Sequence, residues 1–98
     1  MNQGGDTCTI KIMGKFSAQL QHAFRDAYMK PEGVEHFILN FSEVDRLDSF
    51  GSGLLLEMRR FLGSQNEVLV TIVNVNENIQ RLFAKTKLDT LFDVSATE

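Results

Sequence analysis

The chain contains little cysteine and proline and no tryptophan: one Cys, one Pro and zero Trp among 98 residues. A single cysteine, Cys8, excludes an internal disulfide and any zinc site built from several cysteines. No apolar run approaches the roughly 18 residues that a membrane span needs, and residues 1–6 lack the basic start and apolar stretch of a signal peptide. From these absences we expect a cytoplasmic protein that does not contact a membrane.

The chain also lacks an excess of positive charge, because 10 Lys and Arg stand against 13 Asp and Glu, for a formal net charge of −3. Binding to the nucleic-acid backbone needs a basic surface, so we expect no direct nucleic-acid partner. A hydrophobic fraction of 43% is too high for a disordered chain. The length suits a single domain over residues 1–98, with an ordered core at about 7–94.

Known catalytic and cofactor signatures are incomplete. Residues 9–16 do not form a phosphate-binding loop, because Thr9 and Phe16 stand where that loop needs a glycine and a Ser or Thr. Leu56 stands where a dinucleotide-binding fingerprint starting at Gly51 would need its third glycine. We therefore expect no catalytic residue and no cofactor.

Hydrophobic periodicity alternates between strand-like and helix-like segments. The order β-α-β-α-β-α, with a short final element, predicts a small α/β domain with a central mixed or parallel β-sheet. The run at 36–41 is almost continuously apolar, which suits a strand covered on both faces. The strands are predicted near 7–13, 36–41 and 67–75, the helices near 17–29, 50–62 and 77–86, and a short apolar segment at 88–94. The predicted core residues are Ile10, Ile12, Phe24, Ile38, Leu39, Leu55, Met58, Val70, Ile72, Leu82 and Phe83.

Residues 42–48 read as a polar loop that carries three acids, Glu43, Asp45 and Asp48. Asp45 and Asp48 together could bind a cation weakly. Loop acids usually face solvent, however, so we predict no metal site.

The start of the second predicted helix, residues 48–53, reads Asp-Ser-Phe-Gly-Ser-Gly. In the simplest interpretation Ser49 is the N-cap and the glycines allow close packing. Two glycines in a first turn nevertheless cost about 1–2 kcal/mol of helix propensity relative to alanine. A bare helix start also lets a partner or a phosphate approach its free N–H groups. A functional interpretation is therefore open beside the structural one.

Together with its surroundings, this segment resembles the STAS domain, and specifically the bacterial anti-sigma factor antagonists. That family has a strand ending in Leu-Asn, then Asp-Ser-Ser/Thr-Gly-x-Gly at a helix start, and later a Lys/Arg-Leu-Phe helix. The chain departs from the pattern at Phe50, which replaces the second hydroxyl residue, and at Ser17, which replaces an acid. The matching residues are Leu39 and Asn40, residues 48–53, and Arg81, Leu82 and Phe83.

The resemblance implies a phosphorylation switch. In the family, the serine directly after the aspartate is phosphorylated by a serine kinase that is also the anti-sigma factor, and a PP2C-like serine phosphatase removes the phosphate. That position is Ser49. The unmodified antagonist binds the kinase and frees the sigma factor, so it regulates transcription indirectly, and the phosphorylated form does not bind. We expect a monomer or weak dimer whose partner-binding residues are Asp48, Ser49, Phe50, Gly51, Ser52, Gly53, Leu54 and Asn40.

Two other interpretations stay open. The chain could be a non-phosphorylated STAS subunit of a larger assembly, such as the cytoplasmic partner of a lipid-transport ATPase, in which Ser49 is only a cap. It could also be a small enzyme or nucleotide-binding α/β domain. Phosphate on Ser49 in cells would separate the first two hypotheses, and failure to bind nucleotide would exclude the third.

Overall fold

The computed structural model describes residues 7–31, 33–63 and 68–96. Within these residues, four parallel strands form one sheet in the order β1-β2-β3-β4, which confirms the predicted α/β class. The elements are β1 (Thr7–Phe16), a short 3₁₀ helix (Ala18–Leu20), α1 (Gln21–Met29), β2 (His36–Leu47), α2 (Ser49–Gly63), β3 (Leu69–Val73), α3 (Glu77–Thr86), a second 3₁₀ helix (Leu88–Thr90) and β4 (Asp93–Val94).

The three helices pack against one face of the sheet. Successive side chains of a strand point to opposite faces, and Phe37, Leu39 and Phe41 of β2 all belong to the core cluster that also contains buried residues of every helix. Ile38, which points to the other face, is only half-buried and lies outside that cluster. The expectation that residues 36–41 are covered on both faces is therefore wrong.

Most of the predicted core is confirmed. The predicted core residues that are buried are Ile12, Phe24, Leu39, Leu55, Met58, Ile72 and Phe83. The remaining four, Ile10, Ile38, Val70 and Leu82, are half-buried. Three of these four have a simple cause: Ile10 and Val70 lie at the margin of the core cluster, and Ile38 lies on the sheet face without helices.

Strand β2 is longer than predicted, because residues 42–47 continue it instead of forming a loop. These residues pair with the second half of β1, where Gly14 lies opposite Val44 and Phe16 opposite Leu47. The pairing shifts register between Lys11 and Met13 and again between Gly14 and Lys15, so the alternation of the strand is broken. Residues 42–47 are mostly polar and show no regular alternation, so their sequence resembles a loop although Val44 is buried.

The other boundaries differ by a few residues. Ser17 precedes a 3₁₀ helix instead of starting α1, and its side chain makes no capping hydrogen bond. Asn76 caps α3 by accepting a hydrogen bond from the Ile79 N–H at 2.9 Å. The strand predicted at 67–75 is β3, and its predicted first residue, 67, lies outside the described residues.

Candidate functional site

Helix α2 begins directly after the end of β2, and Asp48 is the residue between them. The Asp48 carboxylate Oδ1 accepts a hydrogen bond from the Gly51 N–H at 2.8 Å, and the Asp48 carbonyl accepts one from the Ser52 N–H at 3.0 Å. These are the bonds of an N-cap residue. The interpretation of Ser49 as the cap is therefore wrong, because the helix begins one residue earlier than predicted and Asp48 takes that role.

Ser49 is left as an exposed first helical residue. Within the described part of the chain its hydroxyl forms no side-chain hydrogen bond with another residue. The hydroxyl is thus accessible and is not needed to hold the helix start.

The two glycines of this helix start have different surroundings. Gly51 is buried, and a Cβ there would overlap the Phe16 carbonyl oxygen and lie 2.8 Å from the Leu47 Cδ1. Gly53 is exposed, and a Cβ there would meet nothing within 4 Å. Gly51 is therefore required by the packing of α2 on the end of β1, whereas nothing in the packing requires a glycine at position 53.

A groove of about 390 Å³ runs along α2 from Ser49 towards α1. Phe50 lies in it with 47% of its surface exposed, whereas Leu54 is only 3% exposed and belongs to the core. The residues that line the groove are Arg25, Ser49, Phe50, Gly53, Leu54 and Glu57.

Two of the residues that line the groove, Arg25 on α1 and Glu57 on α2, form an ion pair. The Arg25 Nε lies 2.6 Å from Glu57 Oε1 and the Arg25 Nη2 lies 3.1 Å from Glu57 Oε2, so the guanidinium donates to both carboxylate oxygens. The hydrogen bond to Glu57 raises the pKa of Arg25, and the guanidinium stays charged. Tyr28 lies three residues after Arg25 on α1. Burial raises the pKa of its phenol, and the nearby Glu57 carboxylate raises that pKa further.

A second ion pair lies next to Ser49, at the capping residue Asp48. Lys15 Nζ lies 3.9 Å from Asp48 Oδ2, in an ion pair that is largely exposed. A second cavity of about 440 Å³ adjoins this pair, and its charged lining residues are Lys15, Asp45, Arg46 and Asp48. No three His, Cys, Asp or Glu side chains converge to hold a metal ion anywhere in the described ranges.

Asn40 does not line the groove that holds Ser49. It lies seven residues before the end of β2, roughly 20 Å of extended strand. Its Oδ1 accepts hydrogen bonds from the Ser42 N–H and the Asn74 Nδ2, both at 3.0 Å. The other predicted partner-binding residues, 48–54, are contiguous and lie together at the start of α2.

Sequence reasoning did not find Arg25 and Glu57. They are 32 residues apart, and neither belongs to a motif. The only available signal is that Glu57 lies two helical repeats of four residues after Ser49, on the same side of α2. The position of Arg25 beside it depends on how α1 packs, which local sequence does not reveal.

Comparison with known proteins identifies the family. The STAS domain model matches residues 1–98, so the chain belongs to the STAS family. A comparison with curated protein sequences found no significant match. No helix within the described ranges is long and apolar enough to cross a membrane.

Solved structures with the same fold come from several kinds of protein. A sulfate transporter family protein from Wolinella succinogenes has a TM-score of 0.83 at 16% identity, over 94% of this chain and 78% of that one. A candidate anti-sigma factor antagonist from Thermotoga maritima has a TM-score of 0.77 at 21% identity, over 91% and 80%. The anti-sigma factor antagonist SpoIIAA in its unphosphorylated form has a TM-score of 0.65 at 18% identity, over 93% and 94%. At these identities the likeness shows the fold.

Proposed function

We propose that this STAS domain is a phosphorylation-switched anti-sigma factor antagonist, which binds a serine kinase that is also an anti-sigma factor while Ser49 is unmodified. The observation that supports this most is the state of the Ser49 hydroxyl. It is exposed at the start of α2, and Asp48 provides the helix cap in its place. A serine in this position can gain and lose a phosphate without disturbing the bonds that hold the helix.

In the phosphorylation step, the kinase transfers the γ-phosphoryl group of ATP to Ser49 Oγ, the hydroxyl proton is lost, and ADP leaves. A PP2C-like serine phosphatase hydrolyses the phosphoester and restores the hydroxyl. The phosphate adds a charge of about −1.5 to −2 near neutral pH. Because the N-terminal end of a helix stabilises negative charge, we expect the fold to survive the modification.

In the unmodified chain, the groove offers a partner two features for contact. Phe50 presents an exposed ring, and the bare backbone at Gly53 lets a partner approach the helix closely. A phosphate on Ser49 would lie beside Asp48 and in the same groove as Glu57. An acidic partner surface pressed against that groove would be repelled, and an apolar one would have to desolvate the phosphate, so binding is lost while the domain stays folded.

On this proposal the chain acts in the cytoplasm, as a monomer or weak dimer. It frees a sigma factor indirectly by occupying its kinase. It needs no catalytic residue of its own, because the kinase and the phosphatase perform both phosphate-transfer reactions.

A non-phosphorylated role in a transport assembly is the alternative. The fold likeness to the sulfate transporter family protein favours it, although that likeness concerns the fold and not the site. In that role Ser49 would receive no phosphate, and the exposed groove would serve a constant interface.

The experiment that separates the two functions is a phosphorylation assay. The unmodified chain is used to capture its kinase, which is then incubated with ATP and the wild type, Ser49→Ala or Ser52→Ala. We expect phosphate on the wild type and on Ser52→Ala and none on Ser49→Ala. Phosphate incorporation into Ser49→Ala at the wild-type rate would overturn the assignment of the acceptor, and no incorporation into any of the three would favour the alternative.

A further inference from the structure

The groove around Ser49 contains a cation that is already paired. Among the residues that line it, Arg25 carries the positive charge, and both of its bonds there go to Glu57. The two side chains are 33% and 44% exposed, so neither is locked in the interior. An exchange of partners would therefore leave no buried, uncompensated charge.

The geometry of α2 directs this ion pair towards Ser49. Ser49, Gly53 and Glu57 follow each other at intervals of four residues, so they lie on one side of the helix, about 6 Å apart along the axis. Ser49 and Glu57 are thus about 12 Å apart along the axis, and both line the groove that also contains Arg25. Because Gly53 has no side chain, the helix itself places no obstacle between the ion pair and Ser49.

We propose that a phosphate on Ser49 takes the Arg25 guanidinium from Glu57, so that a phosphoserine–Arg25 pair between α2 and α1 characterises the phosphorylated state. This inference rests on the proposed function, since it concerns the modified form of the same serine. A phosphate carries more negative charge than a carboxylate, and its oxygens accept the two parallel N–H bonds of a guanidinium equally well.

The exchange changes the groove that a partner meets. In the unmodified chain the charges of Arg25 and Glu57 compensate each other. After the exchange the Glu57 carboxylate stands alone in the groove beside a phosphate, and the guanidinium no longer donates to it. The exchange leaves the summed charge of the groove unchanged, but it moves uncompensated negative charge to Glu57, where an acidic partner surface would meet it.

Lys15 is the competing cation, because it lies 3.9 Å from the carboxylate of Asp48. It does not line the Ser49 groove, however, and it approaches the helix start from the side of β1. The structure therefore favours Arg25 over Lys15 as the partner of the phosphate.

The test uses full-length chain with phosphoserine installed at position 49 by genetic code expansion, so that no kinase is needed. The second pKa of the phosphate, ordinarily about 6, is measured by ³¹P NMR titration at low salt. A paired cation favours the doubly charged phosphate and lowers this pKa. We expect Arg25→Gln to raise the phosphate pKa by about half a unit or more relative to the wild type. Lys15→Gln and the matched control Arg81→Gln, whose arginine pairs with Glu77 on α3, should change it much less.

A second measurement follows the Arg25 guanidinium itself by NMR. In ¹H–¹⁵N spectra, the Arg25 Nε–Hε signal should move when Ser49 is replaced by phosphoserine. Glu57→Gln should lower the phosphate pKa, because it removes a competing acceptor for Arg25 and a neighbouring negative charge. An unchanged phosphate pKa in a folded Arg25→Gln variant, or a larger change in Lys15→Gln, would overturn the proposal. Because the phosphate is installed without a kinase, that failure is distinguishable from failure of the proposed function, which the phosphorylation assay alone tests.

Discussion

At the scale of single residues, Asp48 and Ser49 divide two tasks that the sequence allows either to perform. Asp48 holds the helix start through the Gly51 N–H, and the Ser49 hydroxyl is exposed and makes no side-chain hydrogen bond among the described residues. This division makes a reversible modification compatible with a stable helix. It also changes the expected cost of removing each side chain.

Asp48→Ala should lower the free energy of unfolding by about 1 kcal/mol, because it removes a helix cap. Ser49→Ala should change it by only a few tenths of a kcal/mol, because exposed sites without a structural bond tolerate substitution. Urea denaturation of both variants measures the difference. Equal losses for the two variants would show that the Ser49 hydroxyl has a structural role.

Phe50→Ala should weaken binding of the captured kinase by more than about 1 kcal/mol with an unchanged free energy of unfolding, because exposed aromatic residues often carry interface energy. Leu91→Ala is a matched control, since Leu91 is 39% exposed and does not line the groove. Titration calorimetry of both variants measures the effect. If Phe50→Ala binds as tightly as Leu91→Ala, Phe50 does not belong to the binding surface.

At the scale of the elements, α2 combines a packing glycine with a surface glycine. Gly51→Ala should destabilise the domain by about 1–3 kcal/mol, because the new methyl group meets the Phe16 carbonyl. Gly53→Ala should raise the free energy of unfolding by up to about 1 kcal/mol, because alanine favours a helix and the site is open.

The same pair of variants tests the groove. Gly53→Ala should weaken kinase binding despite its greater stability, because it adds a side chain where the partner approaches the backbone. Chemical denaturation and calorimetry on one preparation separate the two effects. A stabilised Gly53→Ala variant with full affinity would place the partner elsewhere on the surface.

The elements also show what the sequence can and cannot predict. Periodicity identified α1, α2 and α3 and the three longer strands of the described residues, because each has a regular apolar stripe or run. It missed the extension of β2, because residues 42–47 do not alternate between apolar and polar. The strand pairing with β1 shifts register there, so a regular alternation is not needed. The helix start was found from its local Ser and Gly pattern, but not the cap, since Asp48 and Ser49 are both good caps and only the fold decides between them.

At the scale of the whole molecule, the packing of all three helices on one face brings α1 beside α2 and creates the groove. The Arg25–Glu57 pair, and with it the electrostatic character of the site, results from this packing between segments 32 residues apart. The spacing from Ser49 places Glu57 on the same side of α2, but the sequence offers no pattern that places Arg25 beside it.

The contact between these two helices also contains a buried polar group. The Tyr28 hydroxyl has no hydrogen-bond partner in the part of the chain that the structure describes, although the ring is only 2% exposed. Tyr28→Phe should therefore leave the free energy of unfolding unchanged or raise it by about 1 kcal/mol at neutral pH, because it removes an unsatisfied buried hydroxyl. Urea denaturation at pH 7 measures this, and a loss of stability would reveal a partner for the hydroxyl.

The pH dependence follows from the raised pKa of Tyr28, of which burial is the main cause. The unfolded chain releases the phenol proton at about pH 10, below the pKa in the folded state. The contribution of the neutral phenol to the free energy of unfolding is thus fully present below about pH 10. It is lost as the pH rises through the pKa that Tyr28 has in the folded chain. Tyr28→Phe should lose less stability than the wild type between pH 9 and 11, and equal losses would contradict this.

The central claim is that one phosphate on Ser49 converts a binding protein into a non-binding one without unfolding it. The most direct measurement is calorimetric titration of the captured kinase with two forms of the chain, one with serine and one with genetically installed phosphoserine at position 49. We predict tight binding of the serine form and an affinity at least about 100-fold lower for the phosphoserine form, equivalent to nearly 3 kcal/mol, with matching circular dichroism spectra. Equal affinity of two folded forms would contradict the switch.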